Sequence, residues 1–374
     1  MPGGWAGACA VAVLTAAAGT APTPGPTSAG GFAQALAPRA FVFPRDHGPH
    51  PEFRQEWWYL TGNLEAPDGA RFGFELTFFR VALAPEGTPA PASASAWRAR
   101  QIYVAHFAIT DAARGRFASA QKLERDALGL AGAQSEPLKV WVDDWSLSAE
   151  AGVWRVSAAQ AGYGLELELT PLGPPTLNGD AGLSVKAAVP GDATYYYSIP
   201  RISAAGRIVR DGHAIPVKGL AWFDREWGSG GLGADEVGWD WFGLQLADGS
   251  SFMFYTLRDR GGGRDPHSAG TWVDTAGKSR ALSSAEVQIE VTGHWTDGRG
   301  VRYPARWRIR VPTLALDLAI APVLSGQELD TTPRYWEGAV EVAGTRNGER
   351  SGGRGYVELV GYARDTDTLS EVGR

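Results

Sequence analysis

Cysteine is almost absent from this chain. Cys9 is the one cysteine in 374 residues, so no intramolecular disulfide can form, and zinc sites built on paired cysteines are excluded. Long apolar runs are missing too. Residues 6–18, "AGACAVAVLTAAA", are too few to span a bilayer as a helix. Followed by "GTAPTPGPTSAGG", they read as the apolar part of an export signal leading into an unstructured segment, together residues 1–40. No Lys or Arg precedes the run, and the best small-x-small site, Ala33-Gln34-Ala35, lies far downstream. Cys9 stands before most of the run rather than after it, which argues against lipid anchoring. The expected location is outside the cytoplasm, periplasmic or secreted.

A basic excess is also lacking. The net charge of −6 argues against nucleic acid as a partner. Sustained helical periodicity is rare, and Ser119–Gly132 is the best candidate for a helical or loop insertion. No G-x-S-x-G elbow occurs, and "GSGGLG" at residues 228–233 has no P-loop lysine after it. His47 and His50 stand in a Pro/Gly turn, "DHGPH", and read as solvent-exposed with no third ligand. No metal or organic cofactor is expected.

What is abundant is glycine, proline and tryptophan, at 49, 24 and 15 residues. With strand-like segments such as "YGLELELTP" and "RYPARWRIRVP", they predict an all-β protein of about sixteen strands, enough for two barrels. An internal repeat supports that count. "WWYLTGNL" and "WDWFGLQL" superpose with Trp57 on Trp239, Tyr59 on Trp241, Leu60 on Phe242, Asn63 on Gln245 and Leu64 on Leu246. A turn two residues shorter then brings Asp68-Gly69 onto Asp248-Gly249, and Phe72 and Phe74 onto Phe252 and Phe254. Two related β-domains follow, expected at residues 41–215 and 216–374, with the join near residues 205–220.

Alternation along a strand sorts the candidate site residues. Trp57 and Tyr59 share one face, Glu56 and Trp58 the other. The repeat has Gly238 where Glu56 stands, so the Trp57/Tyr59 pair reads as a barrel-building element used twice and Glu56 as decoration. In "GLAWFDREWGSGGLG", Asp224 and Glu226 share a face with Trp222, while Trp227 points the other way. A carboxyl among tryptophans is disfavoured in its ionised form and can act as a general acid near neutrality. The competing reading pairs these carboxylates with Arg225 or another arginine to seal a barrel end. Tyr255 is a second candidate proton donor or a core tyrosine, and His106 reads as a satisfied core histidine. Asp240 falls opposite Trp239 and Trp241, on the side of Phe242. The predicted catalytic set is Asp224, Glu226 and Tyr255. The ligand-contacting set is Trp57, Trp58, Tyr59, Trp222, Trp227, Trp239, Asp240 and Trp241.

"EWWYLTGNL", "YYYSIPRISAAGRI", "GLAWFDREWG" and "WDWFGLQLADGSSFMFY" together resemble the carotenoid 1,2-hydratase (hydroxyneurosporene synthase) family and its exported AttH-like relatives. The resemblance covers most of residues 41–364. It implies two tandem lipocalin-like antiparallel β-barrels around a large apolar cavity, and acid-promoted hydration or cyclisation of a C=C bond. The family pattern carries a histidine where this chain has Arg225, and an acidic residue shortly after Tyr255 that is absent here. Arginine cannot release a proton at working pH, so any acid role shifts to Asp224, Glu226 or Tyr255. The expected ligand is a hydrophobic, isoprenoid- or lipid-like small molecule, compatible with peripheral membrane association. A non-catalytic carrier is the alternative, and a carbohydrate-binding module or glycosidase a weaker one.

Overall fold

The computed structural model describes residues 30–89, 99–233 and 235–363. The apolar run at residues 6–18 and Cys9 lie outside them. Glycine-rich turns and β-branched or aromatic segments give 23 strands among the described residues, rather than about sixteen, in two antiparallel sheets. The first holds β1 (Gln55–Glu65), β2 (Arg71–Ala82), β3 (Gln101–Asp111), β4 (Arg116–Arg125), β5 (Ala131–Ser135), β6 (Leu138–Val142), β7 (Trp145–Glu150), β8 (Val153–Gln160), β9 (Tyr163–Pro171), β10 (Thr176–Leu177), β11 (Leu183–Val185), β12 (Ala193–Arg210) and β13 (His213–Gly228). The second holds β14 (Glu236–Leu246), β15 (Ser251–Asp259), β16 (Ala269–Val273), β17 (Ser279–Ser283), β18 (Gln288–Thr296), β19 (Arg302–Val311), β20 (Leu316–Pro322), β21 (Glu328–Leu329), β22 (Tyr335–Arg346) and β23 (Glu349–Leu359). The candidate helical or loop insertion at residues 119–132 is instead the end of β4, a turn at residues 126–130 and the start of β5. Its apolar residues merely mimic a helical period over a short length.

Each sheet curls so that its first strand pairs with its last. β1 lies between β2 and β13, and β14 between β15 and β23, all antiparallel. The repeated hairpin therefore occupies the same place in both barrels. Its register refines the sequence alignment. Leu60 faces Leu76 and Phe242 faces Phe254, so the second hairpin is four residues shorter, not two. Phe74 then corresponds to Phe252 rather than to Phe254. The shift is even, so every side chain keeps its face. The sheets change over between Gly228 and Glu236. Residues 205–220 lie inside the β12–β13 hairpin of the first sheet, whose Asp211-Gly212 turn carries the Gly and polar residues that suggested a join.

Both barrel interiors are filled. Trp58, Trp145 and Trp227 lie in the first core, and Phe242, Trp307 and Trp336 in the second. Among the described residues, these side chains occupy the interiors where the large cavity was expected. A cavity of about 320 Å³ does exist, but Pro51, Leu83, Pro85 and Arg100 are among its walls and none of the candidate residues is.

A buried ion network plugs the first barrel. Glu56, fully buried, takes Arg80 on one oxygen and Arg225 on the other. Arg225 also lies 3.9 Å from the Trp58 ring centre, and His50 stacks on Trp227 at 3.8 Å. His50 is thus buried rather than exposed, and His47 is partly buried with Nδ1 2.6 Å from the Tyr197 hydroxyl. Burial pushes the Glu56 carboxyl up, but the two guanidiniums outweigh it and hold it below the usual carboxylate range. Removing one member of such a network strands the others without water. Glu56→Ala should cost about 3–5 kcal/mol, read as a lowered urea midpoint.

Candidate functional site

The faces of β1 and β14 that look away from their own cores pack against the opposite sheet. Tyr59, Tyr196, Trp222, Trp241, Met253, Tyr255 and Tyr356 form the buried seam, with Trp57 and Trp239 partly buried in it. Tyr59 and Trp241, matched in the repeat, meet edge to face at 5.2 Å. Asn63 and Gln245, also matched, reach across reciprocally. Asn63 Nδ2 donates to the Gly355 carbonyl at 3.1 Å, and Gln245 Nε2 to the Ala221 carbonyl at 2.9 Å. A pseudo-twofold axis therefore passes near the Tyr59–Trp241 contact. Trp222 is 3% exposed, so its ring offers no open face of the kind a sugar would stack on.

One polar group lies on the β12–β13 side of that contact. Alternation on β13 sends Trp222, Asp224 and Glu226 into the seam and Arg225 and Trp227 into the barrel, so Arg225 does not neutralise either carboxyl. Asp224 Oδ2 accepts from the Tyr196 hydroxyl at 2.5 Å, and Oδ1 from Ser198 and from Trp222 Nε1, each at 2.6 Å. Trp241 Nε1 in turn donates to the Tyr196 oxygen at 3.0 Å. Burial raises the Asp224 pKa to about 7 against the pull of these donors. Glu226 accepts from Thr194 at 2.5 Å and pairs with Lys186 at 3.0 Å. Burial alone would lower the Lys186 pKa, but the Glu226 carboxylate reverses the sign. Lys186 stands 4.2 Å from the centre of the Tyr255 ring, whose hydroxyl meets Ser184 at 2.9 Å.

A second group lies on the β22–β23 side and was not anticipated. Glu75, Glu337 and Glu358 are drawn together from β2, β22 and β23. Tyr59 donates to Glu337 Oε1 at 2.7 Å, and Trp239 Nε1 to Glu358 Oε2 at 2.6 Å. Both Glu75 oxygens and Glu337 Oε2 are buried without a hydrogen-bond partner among the described residues. Burial lifts Glu75 to about 8, while the neighbouring Thr77 hydroxyl draws it down without closing a hydrogen bond. Burial raises Glu358 to about 7, opposed by the Trp239 donor. Glu337 is raised well above the ordinary carboxyl range, by burial and then by the Glu358 and Glu75 carboxyls. The register makes the two groups counterparts. Asp224 faces Tyr59 and Ser198, as Glu358 faces Trp241 and Glu337. Extending the repeat from the first hairpin to each barrel's last strand was the signal that could have found them.

Eight predicted site residues thus converge on the seam: Trp57, Tyr59, Trp222, Asp224, Glu226, Trp239, Trp241 and Tyr255. Three do not. Trp58 and Trp227 are fully buried in the first core around Arg225, because their strand positions point inward. Asp240 is held by Arg258 at 2.9 Å and by the Tyr362 hydroxyl at 3.1 Å, on the barrel side of β14. His106 is a satisfied buried histidine, with Nδ1 2.8 Å from the Tyr335 hydroxyl and Nε2 3.2 Å from Gln121 Oε1. No His, Cys, Asp and Glu side chains among the described residues are grouped to hold a metal ion.

Two tandem antiparallel β-barrels, packed through an aromatic seam that buries unpaired carboxyls, define a lipocalin-like two-barrel protein. The chain belongs to the AttH-like family, whose profile matches residues 34–362. The crystal structure of an AttH-type protein of Nitrosomonas europaea is similar at 36% identity and a TM-score of 0.77, over 88% of this chain and 100% of that one. Kievitone hydratase of Nectria haematococca shares the fold, with 14% identity and a TM-score of 0.67 over 90% of this chain and 98% of its own. The dehydratase AsqC of Emericella nidulans is 24% identical over 218 residues, 55% of this chain and 60% of its own length. A dehydratase is therefore among the proteins similar in sequence, and a hydratase among those that share the fold.

The raised carboxyls fix a pH dependence. Unfolded, Asp224, Glu75 and Glu358 ionise in the ordinary range near 4. Folded, they hold protons to about 7, 8 and 7. The folded state therefore binds more protons, and stability falls as pH rises through those values. Burial lowers the His47 and His106 pKa values to about 4, an effect of opposite sign confined below about 6.5. Between about pH 6.5 and 8.5 the denaturation midpoint should fall, and Glu75→Gln should flatten the fall.

Proposed function

We propose that the seam is the active site of a cofactor-independent hydratase or dehydratase, which adds water to, or removes it from, a C=C bond of a hydrophobic ligand. The observation that carries this reading is Asp224. It is a carboxyl 4% exposed, bordered by Tyr196, Ser198 and Trp222, near-neutral in pKa and paired with no arginine among the described residues. Water addition to an alkene needs a proton given and a proton taken, and Asp224 is placed to exchange one. A cation formed during the reaction would face the Tyr59, Trp222 and Trp241 rings, each worth roughly 0.5–2 kcal/mol to a desolvated cation. Lys186 over Tyr255 already uses that attraction. The hydratase and dehydratase relatives favour water chemistry over cyclisation. The aromatic lining favours an isoprenoid- or lipid-like ligand, as expected of an envelope or secreted protein. Because Tyr59 and Trp241 are in contact, a substrate must part them to reach both sides of the seam.

The purified protein should be incubated with an acyclic carotenoid, a geranylgeranyl compound and their hydrated forms, and gain or loss of one water followed by mass. Asp224→Asn should lower turnover by about 10²–10⁴-fold while leaving the melting temperature at neutral pH within a few degrees. Conversion by Asp224→Asn at the wild-type rate would sink the assignment, and tight binding without conversion would favour a carrier.

A further inference from the structure

We propose that Glu337 is the resident proton donor of the seam and Asp224 its proton acceptor, so that one reaction uses both halves of the pseudo-symmetric interface. The inference rests on the hydratase reading above and assigns its acid and its base.

The two carboxyls have opposite hydrogen-bonding surroundings. Asp224 receives three donors, one of them an indole N–H that can only donate. A carboxyl surrounded by donors is best satisfied as the acceptor-only carboxylate. Glu337 receives one donor, from Tyr59, and its other oxygen has no hydrogen-bond partner among the described residues. The charged groups that act on it are Glu358 and Glu75, both carboxyls. Thr77, 1% exposed with its hydroxyl unpartnered, and Glu75, with both oxygens unpartnered, leave polar capacity open in the same half of the seam. A buried carboxyl with one donor, like-charged neighbours and no cation is satisfied best as the neutral acid. The halves are joined through Tyr59, whose hydroxyl is on Glu337 and whose backbone stands opposite Asp224.

The step balances as follows. The Glu337 O–H bond breaks, and its proton bonds to one alkene carbon through the π pair, leaving a carbocation at the other carbon. The oxygen of a water molecule bonds to that carbon, and the excess proton passes to the Asp224 carboxylate. Return of the proton from Asp224 to Glu337 through solvent resets the site. Dehydration runs the same events in reverse.

Infrared spectroscopy tests the proton assignment without a substrate. At a pH above the Asp224 and Glu75 transitions, a carboxylic-acid carbonyl band should persist in the wild type, vanish in Glu337→Gln and survive in Asp224→Asn. Glutamine keeps an acceptor for Tyr59. Should that variant misfold, ¹³C-glutamate labelling of the wild type should shift the band, whereas ¹³C-aspartate labelling should not. A missing band, or one indifferent to Glu337→Gln and to glutamate labelling, overturns the proposal. With a converted substrate, Glu337→Gln should lose about 10²–10⁴-fold in kcat and remove the alkaline limb of the pH profile; loss of less than about tenfold overturns it. A wild type that converts nothing, while the band behaves as stated, defeats the hydratase reading and leaves the proton assignment standing.

Discussion

β1 and β14 are buried on both faces. Each turns one face to its own barrel core and the other to the opposite sheet, and the rest of the molecule answers to that constraint. A half-exposed strand can place charge on its wet face. Where these two strands pack beside residues 221–228 of β13 and 355–359 of β23, almost none is left to use. Every carboxyl there must be paired with a cation, held by neutral donors, or kept neutral. All three solutions occur on these strands and on β22, which pairs with β23. Glu56 is paired with Arg80 and Arg225 inside the barrel. Asp224 is held by hydroxyls and an indole, and Glu337 is left with a single donor.

The doubling of the fold explains where these solutions sit. The pseudo-twofold axis makes Tyr59 meet Trp241, and makes the two carboxamides exchange hydrogen bonds with opposite strands. Such a device is self-complementary: one duplicated hairpin can dock on its copy without a dedicated surface. Once docked, the copies are free to diverge away from the axis. Ser198 on one side stands where Glu337 stands on the other, and Trp222 where Tyr356 does. Divergence has thus turned one half of the seam donor-rich and the other carboxyl-rich.

Much of this was legible in the sequence because period-two alternation and turn residues act locally. The all-β class, the repeated hairpin and the opposed faces of Trp222/Asp224/Glu226 and Arg225/Trp227 all follow from them. What was not legible depended on which strand neighbours which. Trp58, Trp227 and Asp240 were grouped with the site because aromatic and acidic density along the chain says nothing about which face is core. Glu75, Glu337 and Glu358 stand in ordinary strand sequence, and only closure of each barrel, first strand on last, brings them to the seam. His50 read as an exposed turn histidine because the residue that covers it, Trp227, lies far along the chain.

The same separation of faces bears on Arg225. The family resemblance implied a histidine there, and a fixed guanidinium at a catalytic position would be hard to reconcile with proton chemistry. In the fold, however, Arg225 points away from the seam and is engaged with Glu56, the Gly48 carbonyl and the Trp58 ring. Its charge neutralises a carboxylate inside the barrel and leaves Asp224, one residue earlier on the opposite face, with neutral hydrogen-bond donors rather than an arginine. Had Asp224 been paired with an arginine, its carboxyl would be fixed as the anion and unable to exchange a proton near neutrality. The arginine that seemed to argue against proton chemistry is therefore compatible with it, because it satisfies the barrel interior and not the seam.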